Sequence, residues 1–364
     1  MRKNFLVVGL LAVVIFWISI SNLEKTAPLK IKSPQEIYSL VEKAGVIIKN
    51  RYSNCSGVIV QDKSYYPEPF ILSAGHCVNM PISKNGSFTA CFNQPVTPVE
   101  IIPIIIDLPG LQGGLDFMAF RFKNPKIAED FNDVALTLGS SANLKMGESV
   151  FLLAVHRNQF FCFSRGEIFS LTATADSYYR PQTILITSTF GGGSSGGLTV
   201  NNRGEVIGLN NTIISDIIFD SDGNQKESMP AIFGIVPIDD IKEDLALLTP
   251  YFPDKLLIVA HPLAIQIGFI NSWEYTDQDL ALWNIKRPSK DGVLVGGFVN
   301  LLIPAALVLH PGDKIISCEG KPVKTRMDAY RAIFFCYKKS ISVIIERDGS
   351  QQEVTFELIN PNWN

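Results

Sequence analysis

From Gly45 onward the chain breaks into short β-rich runs: "GVIIKNRY", "CSGVIVQD", "PFILSAG", "DFMAFRFK", "SVFLLAV", "GEIFSLTA", "TILITST" and "AIFGIVP". Each is closed off by Gly, Pro, Asn or Asp, and this spacing restricts the fold more than any other property. Many short strands of this kind pair as antiparallel barrels or a sandwich, whereas alternating β and α units would need helical stretches between them. "TVNNRGEVIGLN" reads as a hairpin from its turn chemistry. "IDDIKEDLALLTPYF" carries apolar residues at helical spacing and stops before Pro253, so it predicts a helix that closes a first domain.

A second domain begins near Leu256. Its pattern is strand "IQIGFIN", strand "GVLVGGFV", a short helical piece at "IPAALV", and a helix near "RMDAYRAIFFCY". Thr325 and Asp328 form the capping box of that helix. The chain ends in a hairpin, "ISVIIERDGSQQEVTFEL", folded about Asp348-Gly349. With 364 residues there is room for two domains and a tail.

The amino terminus has a different character. "MRKN" precedes the unbroken apolar run Phe5 to Ile20, which as a helix is roughly 24 Å long against a hydrocarbon core of about 30 Å. Residues 1–21 are expected to be a signal anchor or signal peptide and 22–40 a linker. Ser19-Ile20-Ser21 is a poor cleavage site, which favours the anchor. Arg2 and Lys3 then stay inside and the bulk of the chain is extracytoplasmic, membrane-anchored or secreted. A net charge of −3 argues against nucleic acid as a partner.

Export makes the six cysteines candidates for oxidation. Cys55 and Cys77 are the best pair, and closing that loop is worth roughly 3 kcal/mol. Cys91 and Cys162 are taken as a second pair. Cys318 and Cys336 lie in apolar surroundings and read as buried free thiols. There is no CxxC, so no structural zinc site is expected. "DSDGN", Asp220 to Asn224, has its glycine too early and no closing Glu for a calcium loop, and reads as a solvated turn. Neither a metal nor a cofactor is expected.

"TSTFGGGSSGGLTV" places a glycine-rich turn between two strands, where a linker is not usually found. Glycine there permits backbone angles and close approaches that a side chain would block. Ser195 is the candidate nucleophile, with the N–H groups of Gly193 and Ser195 as candidate oxyanion hole. A serine needs a base. Of four histidines, His156, His261 and His310 stand in unremarkable contexts, while His76 in "FILSAGHC" ends a buried strand beside a cysteine. Asp116 in "GGLDFMAF" opens an apolar strand, where an ionised carboxylate needs a partner, and is the candidate for orienting His76.

"SAGHC", "DFMAF" and "GGSSGG" resemble the His, Asp and Ser blocks of chymotrypsin-fold serine proteases, in the same order. "CSGVIV" resembles the strand before the histidine loop in those proteases, which supports the Cys55–Cys77 bridge. "NNRGEVIGLN" and "IFGIVPIDDIKE" resemble the segments after the serine in the HtrA or Deg branch, and "GVLVGGFVNLLIPAALVLHPGDKIISCEGKPVKT" resembles its PDZ domain. The resemblance spans residues 40 to 360. It implies a mainly β chain with a chymotrypsin-like double β-barrel at 41–248 and a PDZ domain at 256–361. In activity it implies a serine endopeptidase acting on misfolded or regulatory proteins, and in assembly a possible homotrimer.

Further roles follow from that resemblance. Thr189, Leu209 and Asn210 would line the substrate pocket, and Thr189 stands where trypsin-like enzymes carry Asp, so small or medium apolar residues are expected before the cleaved bond. Gln266, Ile267, Gly268 and Phe269, with Ala329 and Ile333, would bind C-terminal peptides as an added strand. The chain departs from the family at Ser194, where Asn is usual, and at Leu198, where Pro is usual. The loop "VHRNQFFCFSRGEI" is also unlike the family's segment. Position 194 is not Asp, so activation by a freed amino terminus is not expected. An esterase reading of Gly193-Ser194-Ser195-Gly196-Gly197 requires a strand-to-helix turn and a later histidine in the same domain, and neither is present. The alternative is a catalytically inactive, anchored peptide-binding or chaperone protein on a protease fold.

Overall fold

The computed structural model describes residues 31–49, 54–77, 88–92, 97–107, 114–156, 160–173, 183–188, 193–214, 217–219, 225–227, 232–251, 256–259, 267–298 and 303–358. The expected anchor at 1–21 lies outside them. Among the described residues no helix is long and apolar enough to cross a membrane.

Helix α1 (Pro34–Ala44) starts at Ser33, whose hydroxyl accepts from Glu36 N while the Glu36 carboxylate accepts from Ser33 N. Six strands follow: β1 (Gly45–Lys49), β2 (Asn54–Gln61), β3 (Phe70–Ala74), β4 (Phe88–Phe92), β5 (Val99–Asp107) and β6 (Phe117–Phe122). They close in the order β1-β4-β5-β6-β3-β2, with β2 pairing back onto β1. After a short helix α2 (Pro125–Glu129) comes a second closed barrel, from β7 (Ser149–His156), β8 (Phe160–Ala173), β9 (Thr183–Thr187), β10 (Leu198–Val200), β11 (Val206–Ile214) and β12 (Ile232–Pro237). Its order is β9-β12-β11-β10-β7-β8. The β10–β11 hairpin is the one expected from "NNRG".

Why several of these strands are apolar on both faces follows from their two environments. Ile59, Ile71 and Met118 fill the first barrel, and Leu152, Ile186 and Ile207 the second. Their alternating neighbours Val58, Val60, Leu72, Leu153 and Val206 face a separate core that also takes in α1 and helix α3 (Ile238–Leu245). A strand covered on both sides loses the in–out polarity of a half-exposed one.

The second unit is a sheet in the order β13 (Ile267–Asn271), β14 (Val293–Phe298), β15 (Lys314–Cys318), β16 (Ser340–Arg347) and β17 (Ser350–Glu357). It carries α4 (Asp277–Leu282) and α5 (Arg326–Phe334). The β16–β17 turn has Asp348 at φ 52° and Gly349 at φ 78°, the left-handed pair the "DG" signal requires. Helix α4 was not anticipated, although Thr276 and Asp279 form a capping box there too.

The two units meet where α3 faces α5. Arg331 pairs with Asp240, and the Tyr337 hydroxyl donates to Asp244. Burial pushes Asp240 up to about 6 against the pull of Arg331.

Cys55 and Cys77 form a disulfide with Cα atoms 5.9 Å apart. The second expected pair is corrected: Cys91 and Cys162 are free, because one sits on β4 of the first barrel and the other on β8 of the second. Cys318 and Cys336 are buried thiols, and burial pushes Cys318 up to about 12.

Candidate active site

Strand β3 ends at Ala74 and turns immediately through Gly75-His76-Cys77. The Cys77 disulfide holds this turn to β2, and Gly75 N donates to Asp116 O at 3.0 Å. His76 therefore stands at the barrel edge with its side chain 41% exposed, while Asp116 behind it is 2% exposed.

Asp116 holds φ 68°, a left-handed conformation that Asp tolerates better than most residues and that concentrates at functional sites. This angle aims its carboxylate back across the turn. Oδ1 accepts from His76 N at 2.6 Å and Oδ2 faces His76 Nδ1 at 2.7 Å. A carboxylate at Nδ1 keeps the proton of a neutral ring there, so Nε2 is left as the basic nitrogen.

A third partner was missed in the sequence. Asn211 Nδ2 donates to Asp116 Oδ2 at 2.6 Å and to Asp116 O at 3.2 Å. The β11–β12 register slips between Asn210 and Thr212, so Asn211 is the extra residue of a bulge. Periodicity alone cannot show which of two neighbouring asparagines a bulge will turn toward the carboxylate.

The glycine-rich turn packs against β2 from the other barrel. Gly193 has φ 95° and Gly196 φ 78°. At Gly196 a Cβ would meet Ser56 O at 2.3 Å, Ser73 Oγ at 2.4 Å and Ala74 N at 2.7 Å, so no side chain fits. Gly197 N donates to Ser194 O at 2.9 Å and Gly196 N to Asn210 O at 2.8 Å, closing the turn. Ser194 is buried at 4% exposure, while Ser195 is half-buried. The Ser195 carbonyl lies 3.1 Å from Ser56 N and 3.8 Å from Cys77 Sγ, one residue from His76. The turn that carries His76 and the turn that carries Ser195, far apart in sequence, thus lie side by side where the two barrels meet.

Leu209 is 1% exposed in the shared core, and the Asn210 side chain accepts from Thr199 Oγ1 at 2.7 Å. Leu209 thus packs in the core, and the Asn210 backbone joins the serine turn, its carbonyl accepting from Gly196 N and its N–H donating to Gly197 O, each at 2.8 Å. Thr189 lies outside the described residues, as do Gln266 and "DSDGN". Ile267, Phe269, Ala329 and Ile333 are buried, and Gly268 lies between the first two on β13, the edge strand of its sheet. Among the described residues no group of acidic, His or Cys side chains is arranged to hold a metal ion.

Residues 55–209 match the family model described as trypsin-like peptidase domain. A protein named "Serine protease HtrA-like" from Staphylococcus haemolyticus (strain JCSC1435) is 24% identical over 239 residues, a match covering 61% of this chain and 34% of that protein's length. Among solved structures, the HtrA-type protease AlgW with a decapeptide superposes with a TM-score of 0.61 at 15% identity, over 90% of this chain and 99% of that one. The serine endoprotease from Yersinia pestis gives 0.55 at 18% identity, over 90% and 98%.

Proposed function

We propose that this chain, which carries a trypsin-like peptidase domain and is similar to HtrA-type serine proteases, is a serine endopeptidase. The observation that carries the reading is the His76–Asp116 pair at 2.7 Å, standing across the barrel junction from the turn that bears Ser195. His76 Nε2 takes the Ser195 proton as the hydroxyl attacks a peptide carbonyl. Asp116 stabilises the resulting imidazolium, and the Gly193 and Ser195 N–H groups hold the oxyanion. His76 then protonates the leaving amine, and water repeats the sequence on the acyl-enzyme.

The second unit is read as a PDZ domain at 256–361. Its edge strand β13 lies beside α5, and this arrangement supports capture of a C-terminal peptide as an added strand. Residues 1–21 tether the chain to a membrane, with the peptidase domain at 41–248 on the extracytoplasmic side. The Cys55–Cys77 disulfide suits an oxidising compartment. Misfolded or regulatory proteins are the substrates, cut after small or medium apolar residues. A homotrimer is the assembly that the resemblance to HtrA-type proteases implies.

Digestion of casein, with and without peptides ending in free carboxylates, tests this reading. Hydrolysis that disappears in Ser195→Ala supports it. No hydrolysis under either condition favours a binding protein on a protease fold, and cleavage of a peptide library mainly after Lys or Arg contradicts the pocket assignment.

A further inference from the structure

Two adjacent residues of β2 hold the two halves of the site. Cys55 ties down the turn carrying His76 through its disulfide to Cys77. Ser56, 1% exposed, faces the turn carrying Ser195. Its Oγ donates to Gly193 O at 3.0 Å and accepts from Val155 N at 2.8 Å, so one hydroxyl joins the serine turn to β7. Its backbone N–H donates to Ser195 O at 3.1 Å, and its own carbonyl accepts from Ser73 Oγ at 2.6 Å.

The carbonyls that Ser56 holds belong to the peptides 193–194 and 195–196. The peptide between them carries the Ser195 N–H, one of the two proposed oxyanion donors. The other donor, Gly193 N–H, is in the residue whose carbonyl the Ser56 hydroxyl grips. A glycine-rich turn has little stiffness of its own, since glycine populates both signs of φ with similar ease. Something outside the turn must fix the orientation of its peptides.

We propose that Ser56 is a positioning residue for the oxyanion hole: its hydroxyl and its backbone N–H lock the peptides on either side of Ser195 N–H. The inference rests on the peptidase reading and adds to it a residue outside the triad. Removing the hydroxyl leaves Gly193 O and Val155 N without that partner and lets the donors drift. Misplacement of oxyanion donors by even about 1 Å costs on the order of 100-fold in rate.

Three readouts separate positioning from a merely structural role. In Ser56→Ala, kcat for a peptide substrate falls about 10- to 100-fold while KM stays within about twofold, since ground-state binding does not use the oxyanion hole. Affinity for a peptide boronate, whose tetrahedral adduct places an oxygen in that hole, falls in parallel with kcat/KM. The pH profile keeps its shape, because His76 and Asp116 are untouched. Ser56→Thr, which keeps the hydroxyl, restores most of the rate and serves as the folded comparison if the alanine variant proves unstable. Equal kcat and boronate affinity in the wild type and Ser56→Ala, or a Ser56→Thr protein that is folded and as slow as the alanine form, overturns the inference. A wild type that neither cleaves peptides nor binds the boronate overturns the peptidase reading first.

Discussion

Asn211 Nδ2 lies 2.6 Å from Asp116 Oδ2, the same oxygen that faces His76 Nδ1. One carboxylate oxygen is thus shared between the proposed base and an amide from the other barrel. Hydrogen bonds to charged groups contribute roughly 1.5 to 3 kcal/mol, so Asn211→Ala is expected to lower kcat/KM about 10- to 100-fold. Asn211→Asp, which sets a second carboxylate against Asp116, should be worse. Steady-state kinetics on a peptide substrate checks both, and an Asn211→Asp enzyme more active than Asn211→Ala would count against the shared-oxygen picture.

Gly196 is the tightest point of the serine turn. It combines φ 78° with contacts to Ser56 O, Ser73 Oγ and Ala74 N below 3.0 Å for any Cβ. Gly196→Ala is expected to lose activity by more than about 100-fold, with the damage visible as slower active-site labelling in protein that remains folded. A fully active Gly196→Ala protein would show that the turn adopts another path in solution.

Much of this arrangement was legible before the structure. The short apolar runs, the "NNRG" and "DG" turns and the Thr325–Asp328 cap each express a local rule, and local rules survive folding. His76, Asp116 and Ser195 were singled out because each sits in a stretch whose composition is odd for its setting. Ser56 and Asn211 were not, for a physical reason. Ser56 acts through contacts with residues 193 and 155, and Asn211 through a bulge whose position depends on pairing with β12. The Cys91–Cys162 pairing failed likewise, because counting cysteines says nothing about which barrel each joins.

The interdomain contact should respond to pH. Asp240 is fully buried against Arg331, with Asp239 and Glu243 on its own helix adding repulsion. Its pKa is about 6 in the folded protein against an ordinary value of 3.8. A group raised on folding contributes stability that is present below the unfolded value and is lost as pH rises through the folded one. Between pH 4 and pH 7 the wild type should therefore lose on the order of 2 kcal/mol relative to Asp240→Asn, which cannot titrate. Urea unfolding of the two proteins at both pH values measures the difference, and a pH-independent gap would contradict it.

The proposed peptide groove is partly occupied by the protein itself. Tyr330 OH accepts from Phe269 N at 3.1 Å, and the two rings lie edge to face with centroids 5.2 Å apart. An added strand on β13 would compete for that N–H. Tyr330→Phe removes the internal acceptor, so affinity for a peptide with a free carboxylate is expected to rise about 2- to 10-fold by calorimetry. Weaker binding in Tyr330→Phe would mean that the hydroxyl serves the ligand instead.

Reaction of the protein with a fluorophosphonate probe tests the proposed catalytic centre most directly, because the probe bonds to a serine only where a base and an oxyanion hole are assembled around it. Covalent labelling of the wild type at Ser195, absent in Ser195→Ala and strongly reduced in His76→Ala, is the expected result. A folded wild type that takes up no label, or one labelled equally after Ser195 is replaced, would contradict it.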